Sequence, residues 1–166
     1  MTPAAESGSA TASLDTLPAC PALFPQAALA RRVPWPDACA LAPLNPDVQT
    51  LRTASHAPLA CIRMAFTLFY LSAAQAEALL RLALESAQLV LVADFKLAER
   101  KPELPAGLAA HGLMALAGAH CRGRAARKSF MQSGGIEGLV HRSNALVLKR
   151  RPIFTGAAAL LHVRRA

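Results

Sequence analysis

One candidate for chemistry in this sequence is Asp94, which directly follows the apolar run of residues 89–93. A carboxylate at the end of a buried strand can orient a substrate or act as a general base. A structural interpretation is at least as strong, in which the carboxylate caps the next turn or pairs with Lys96 or Arg100. The sequence leaves both interpretations open.

Histidines and cysteines are the other side chains that could bind a metal or act as nucleophiles. His111 and His120 are too far apart to share one helical face as a ligand pair, and neither has a nearby carboxylate. The cysteines are widely separated and form no CxxC pair, so we predict reduced thiols rather than disulfides or a zinc site. They are Cys20, Cys39, Cys61 and Cys121. The sequence therefore predicts no metal site.

The formal charge of +8 is unevenly placed along the chain. Residues 1–56 hold three arginines against four acidic residues, so the positive excess lies entirely in the remainder. A basic excess can attract nucleic acid or an anionic membrane. Here the basic residues fall in predicted connections and at strand ends, and no aromatic residues interleave with them as a base-stacking surface requires. We therefore expect solvated surface charge, and nucleic-acid binding is the less favoured interpretation.

Two features bear on location. Residues 104–121 carry no formal charge, but they include a proline, two histidines and three glycines, which favours a partly buried helix over a membrane span. No compact apolar run follows a charged start, so no secretory signal is predicted. The expected location is the cytoplasm, with no membrane partner.

The elements that would position these residues differ between two regions. Residues 1–56 hold eight of the twelve prolines, which predicts an irregular or disordered Pro/Ala-rich region with one short helix at residues 26–32. The second region, residues 57–166, opens with an apolar run at 59–66 that is typical of a buried strand. Ser72 and Gln75 fit a capping box and predict the start of a helix. Residues 89–93 predict a second strand, parallel to the first.

The rest of the chain continues this α/β pattern. We predict a helix at residues 105–119, a basic loop at 122–127, a short helix at 129–140, and a hairpin of strands 145–150 and 157–165. A parallel sheet binds ligands beyond the carboxyl ends of its strands. Residues 64–70 and 94–96 should therefore share one rim of the sheet.

Two stretches of sequence resemble the second half of a class I S-adenosylmethionine-dependent methyltransferase. "MAFTLFYLSAAQAEALLRLALESAQLVLVADFKLAER" is similar to the family's passage from its fourth strand through a helix to its fifth. "SGGIEGLVHRSNALVLKRRPIFTGAAALLHV" is similar to its closing segment, where the last strand of a hairpin inserts beside the fifth strand. The resemblance implies a partial Rossmann-like sheet of the fourth to seventh strands with flanking helices.

The resemblance also implies roles for particular residues, with S-adenosylmethionine as the cofactor and a small molecule as the methyl acceptor. The cofactor's methionine end would be lined by Met64, Ala65, Phe66 and Thr67. The substrate-side residues would be Phe69, Tyr70, Asp94 and His120. From the sequence pattern alone, the aromatic residues among these are more often part of a hydrophobic core.

The family's first half should contain a glycine-rich turn for the cofactor, and this sequence lacks one, since its only early glycine is Gly8. The expectation is a truncated or impaired methyltransferase. The alternative is a non-catalytic basic module that uses half of the fold to bind another protein. In the family the fourth strand pairs with the first, so the strand near Cys61 should have a free edge. We expect that edge to mediate a homodimer unless residues 38–44 cover it.

Overall fold

A computed structural model describes residues 24–97 and 124–166, together with Pro105. It shows a mixed α/β fold with a four-stranded open sheet in the order β1-β2-β4-β3. Strands β1 and β2 are parallel, and β4 is antiparallel to both of its neighbours. The strands are β1 (Leu59–Ala65), β2 (Ala87–Phe95), β3 (Ala145–Ile153) and β4 (Ala158–Arg165).

The hairpin predicted near the end of the chain is confirmed. Its last strand, β4, lies between β2 and β3, so the sheet does not follow chain order. The turn between β3 and β4 holds Phe154 and Thr155 at positive φ, followed by Gly156 at φ 91°. Strand β3 is longer than predicted and continues through Pro152 to Ile153. Proline is tolerated there because β3 is an edge strand.

The helix predicted between the two parallel strands is also confirmed. The Ser72 hydroxyl accepts a hydrogen bond from the Gln75 backbone N–H at 3.3 Å, and the Gln75 side chain accepts one from the Ser72 N–H at 3.2 Å. This capping box satisfies two N–H groups that the first turn of the helix leaves unpaired. The helices of the described residues are α1 (Phe24–Arg31), α2 (Val48–Ala54), α3 (Ala73–Ser86), α4 (Arg124–Gln132) and α5 (Gly135–Arg142).

Part of the Pro-rich region is ordered against the sheet. Helix α1 matches the short helix expected there, whereas α2 was not predicted. Asp47 caps α2 by accepting a hydrogen bond from the Thr50 N–H at 2.7 Å. Leu51 of α2 is fully buried, and its carbonyl accepts a hydrogen bond from the Ser86 hydroxyl at 2.7 Å. Residues from about 30 onward therefore share one hydrophobic core with the rest of the described residues.

The N-terminal segment covers the outer edge of β1 near Arg63 and Ala65. The Arg63 N–H donates to the Pro43 carbonyl at 2.8 Å, and the Asn45 N–H donates to the Arg63 carbonyl at 2.7 Å. The Asn45 side chain then accepts from the Ala65 N–H at 2.6 Å and donates to the Ala65 carbonyl at 3.1 Å. The expected covering of this edge by residues 38–44 is thus confirmed, with Asn45 added to it.

The predicted loop at residues 122–127 is wrong for residues 124–127, which open helix α4. Arginine, alanine and lysine are good helix formers, and fully buried Phe130 anchors this helix to the core. The single short helix predicted at residues 129–140 is instead two helices. They separate at Gly134 and Gly135, whose φ angles of 96° and 59° cannot continue a right-handed helix. The helix predicted at residues 105–119 lies outside the described residues, apart from Pro105.

Within the described part of the chain, none of the helices has the length and apolar character needed to cross a bilayer. The two cysteines described, Cys39 and Cys61, are free and buried. This agrees with the reduced thiols predicted for them. Cys20 and Cys121 lie outside the described residues.

Candidate functional site

The carboxyl ends of β1 and β2 lie side by side, as the parallel pairing requires. Met64 is paired with Val92 and Ala65 with Ala93. The Phe66 N–H donates to the Ala93 carbonyl at 2.8 Å and extends the pairing beyond the strand. We call this region the β1–β2 rim, defined as residues 64–70 and 94–96. The expectation that these two segments share one rim is confirmed.

Asp94 lies at the centre of the β1–β2 rim and is completely buried. Its Oδ2 atom accepts hydrogen bonds from the backbone N–H groups of Leu68 at 3.1 Å and Phe69 at 3.2 Å. Its Oδ1 atom accepts one from the Phe95 N–H at 2.8 Å. The carboxylate therefore ties the 3₁₀ turn that follows β1, Leu68–Tyr70, to the end of β2.

Burial raises the pKa of Asp94 from 3.8 to about 7, because removing the carboxylate from water penalises its charged form. The three backbone N–H donors act in the opposite direction and lower the pKa. A carboxyl group with a pKa near neutrality can give or take a proton under ordinary conditions. Here it lies beneath the turn, so its immediate role is to position Leu68 and Phe69.

The aromatic residues predicted at this rim pack into one cluster in the core. The Phe69 ring centroid lies 4.7 Å from that of Phe95 and 5.9 Å from that of Phe130. The Phe66 ring contacts Phe95 at 5.2 Å and Phe154 at 5.8 Å. Tilted and edge-on contacts at these distances stabilise aromatic clusters beyond the area that they bury. The interpretation of Phe66 and Phe69 as core residues is confirmed.

Phe66 also has an unusual backbone conformation, with φ of 52°. A bulky residue at positive φ is rare and costs free energy unless its surroundings hold it in place. The hydrogen bond to Ala93 and the buried ring provide that restraint. Strained residues of this kind occur often at ligand sites and switch regions, and Phe66 lies at the end of β1, where a parallel sheet binds ligands.

The residues predicted to line the cofactor differ in their access to solvent. Met64, Ala65 and Phe66 are buried in the core, whereas Thr67 is only half-buried. Tyr70, on the substrate side, is also half-buried, and its ring packs edge-on against Phe69. Thr67 and Tyr70 are therefore the side chains of this set that reach the surface of the rim. His120 lies outside the described residues.

Two clefts lined by described residues lie away from the rim. One, of about 310 Å³, is bordered by Arg81, Glu85, Asn144 and Arg165. The other, of about 250 Å³, joins Trp35 and Asp37 to the basic residues of β3 and β4. Lys149 and Arg151 are two residues apart in the sequence, which indicates that they lie on the same face of a strand. Nothing in the sequence indicates that Trp35 lies across from them.

No metal centre is found in the part of the chain that the structure describes, since no three His, Cys, Asp or Glu side chains come together there as ligands. No protein-family model matches the chain, and no curated protein or solved structure matches it either. The features that bear on function are therefore the residues, the sheet and the clefts of this chain.

Proposed function

We propose that this chain is a member of the class I S-adenosylmethionine-dependent methyltransferases that acts on a small-molecule acceptor, with impaired cofactor binding. The observation that carries the proposal is the position of β4. It lies between β2 and β3 in the sheet and runs antiparallel to both. The resemblance in sequence implies this arrangement for the family's last strand.

The β1–β2 rim is where ligands would bind. Thr67 and Tyr70 are the half-buried side chains there, so Thr67 would face the cofactor and Tyr70 the acceptor. Asp94 would be a positioning residue, because it holds the turn that carries Phe69 and leads to Tyr70. S-adenosylmethionine, when bound, supplies an activated methyl group, and the protein's task is mainly to align the acceptor and exclude water.

The sequence has no glycine-rich turn ahead of β1 to receive the cofactor, so the described residues supply only part of a complete site. We expect weak cofactor binding and slow methyl transfer for that reason. We also propose a cytoplasmic location, with which the free thiols of Cys39 and Cys61 are compatible.

Thermal unfolding with S-adenosylhomocysteine tests the proposal. A ligand that binds only the folded state adds about 2.7 kcal/mol of stability at 100 times its dissociation constant, so the melting temperature should rise in a saturable way. Adenosine, which lacks the amino-acid end, should give a smaller rise. Thr67→Val should weaken the response, whereas Thr53→Val, on the exposed face of α2, should not. An unchanged melting temperature at saturating concentrations would overturn cofactor binding.

A second candidate function is a non-catalytic module that binds another protein, and the exposure of β3 favours it. Leu146, Val147 and Leu148 are 43%, 44% and 53% exposed, and β3 is an outer strand of the sheet. An exposed apolar edge strand can pair with a strand of a partner. This function predicts no response to S-adenosylhomocysteine and loss of partner binding when Val147 is replaced by lysine.

A further inference from the structure

The cleft beside Trp35 combines an aromatic wall with converging basic side chains. It has a volume of about 250 Å³ and is lined by two prolines and six other residues. These are Trp35, Asp37, Lys149, Arg151, Leu160 and His162. We propose that this cleft, which we call the Trp35 cleft, binds a small organic anion that carries a planar ring. The proposal is independent of methyl transfer.

The sheet register explains why the basic residues converge. Lys149 is paired with His162 and Arg151 with Leu160 across the β3–β4 hairpin. Directly opposed residues of an antiparallel pair project from the same face, as do alternate residues of one strand. The three basic side chains therefore rise from one face around the apolar floor of Leu160. Arg150 points to the opposite face, where it forms an ion pair with Glu137 of α5.

The indole of Trp35 is held in place above this face. Its Nε1–H donates to the Ala30 carbonyl at 3.2 Å. The Arg63 guanidinium lies 5.5 Å from the ring centroid, and its Nε and Nη2 atoms donate to the Ala42 carbonyl at 3.0 Å and 2.8 Å. A ring fixed in this way loses little conformational freedom when a ligand stacks on it, which favours a planar partner.

The electrostatics of the cleft favour an anion. Lys149 and Arg151 are exposed, and no carboxylate of the described residues forms an ion pair with either. The pKa of His162 is lowered, first by desolvation and then by the positive charge of Lys149. Asp37 is the one acidic residue of the lining, so the charged side chains sum to a small positive excess. This suits a ligand with a single anionic group better than a polyanionic chain.

The size of the cleft sets the class of ligand. Pockets for drug-sized ligands are usually about 300–1,000 Å³, so this cleft suits a smaller molecule. An aryl phosphate or aryl carboxylate has the required parts. Its anionic group would accept hydrogen bonds from Lys149 and Arg151, and its ring would pack against Trp35 and Leu160.

The chain contains a single tryptophan, so its fluorescence reports on this cleft alone. We would titrate the full chain with phenyl phosphate and follow Trp35 emission, with phenol and inorganic phosphate as probes that lack one part of the ligand. Phenyl phosphate should change the emission in a saturable way. Each of the two partial probes should bind at least about tenfold more weakly, because each loses one kind of contact.

A matched pair of double variants tests the basic residues. Lys149→Ala with Arg151→Ala should weaken phenyl phosphate binding by about tenfold or more. Lys128→Ala with Arg165→Ala removes the same charge from exposed positions outside the cleft and should change the affinity by less than about twofold. If circular dichroism shows that the first pair perturbs the fold, Lys149→Gln alone should still weaken binding measurably.

Three results would overturn the proposal. The first is a lack of saturable change in Trp35 emission with phenyl phosphate. The second is equal binding of phenol and phenyl phosphate, which would remove the anionic requirement. The third is a single-stranded oligonucleotide that binds far more tightly than phenyl phosphate with an affinity that falls steeply with salt, which would assign the cleft to nucleic acid instead.

Discussion

Asp94 gives the chain a distinctive dependence of stability on pH. Its pKa in the folded state is raised above the value of 3.8 expected when unfolded, so the folded state holds this proton more tightly than the unfolded state. The resulting stability is fully present below a pH of about 4 and is lost as the pH rises through about 7. The contribution of Asp94 to the free energy of unfolding should therefore fall as the pH rises over that interval.

The size of this effect follows from the shift. Each pKa unit corresponds to about 1.4 kcal/mol, so a rise from 3.8 to about 7 corresponds to about 4 kcal/mol. Asp94→Asn removes the titration but keeps an oxygen that can accept from the Leu68 and Phe69 N–H groups. The stability of the native protein relative to this variant should thus decline by about 4 kcal/mol between pH values of about 4 and 8.

Urea unfolding followed by circular dichroism at several pH values measures this difference. Asp47→Asn is the matched control, because the Thr50 N–H lowers the pKa of this exposed carboxylate. Its contribution to stability therefore has the opposite sign, present at neutral pH and lost as the pH falls through the folded pKa. A difference between the native protein and Asp94→Asn that stays constant, or grows with pH, would contradict a raised pKa for Asp94.

Three further predictions concern Asn45, Gly138 and Cys61. Asn45→Ala should destabilise the fold by about 2–3 kcal/mol in urea unfolding, because it removes two hydrogen bonds to Ala65 and places alanine at φ 49°. Asn45→Gly should lower the free energy of unfolding by less, because glycine tolerates this φ. Equal losses for the two variants would contradict the role of φ. Gly138→Ala should destabilise the fold by about 1–3 kcal/mol although Gly138 lies in a helix, because a Cβ there would overlap the Ser133 carbonyl. A gain in melting temperature would contradict this overlap. Cys61 should resist alkylation in the native chain and react once the chain is unfolded, because burial raises the pKa of its thiol to about 12. Peptide mass spectrometry measures the labelling, and rapid labelling of Cys61 in the native chain would disprove this prediction.

The elements that sequence reasoning predicted well are specified by local signals. The capping box of Ser72 and Gln75 fixes the start of α3 within one turn of chain, and the apolar runs of β1 and β2 identify buried strands without knowledge of their neighbours. The hairpin strands β3 and β4 were found for the same reason. Helix α2 was missed because the surrounding prolines suggested irregular structure, although Asp47 provides a cap for it.

The candidate sites were less predictable, because they depend on contacts between distant residues. Asp94 could be recognised as a strand-end carboxylate, but its three N–H partners include residues 25 and 26 positions earlier in the chain. The Trp35 cleft requires the N-terminal segment to cross the face of the sheet that carries Lys149 and His162. No local pattern encodes that crossing, so the fold supplies an aromatic residue that the basic stretches of the sequence lack.

The proposed cofactor site can be tested by nuclear magnetic resonance of the labelled chain during titration with S-adenosylhomocysteine, because the spectra report both whether this ligand binds and which residues it affects. Cofactor binding at the β1–β2 rim should give saturable shifts in the amide signals of Met64, Ala65, Phe66 and Thr67 at the end of β1. Absent shifts would contradict a methyltransferase-type cofactor site. Shifts confined to Trp35 and the strands facing it would contradict the rim as that site and assign this ligand to the Trp35 cleft.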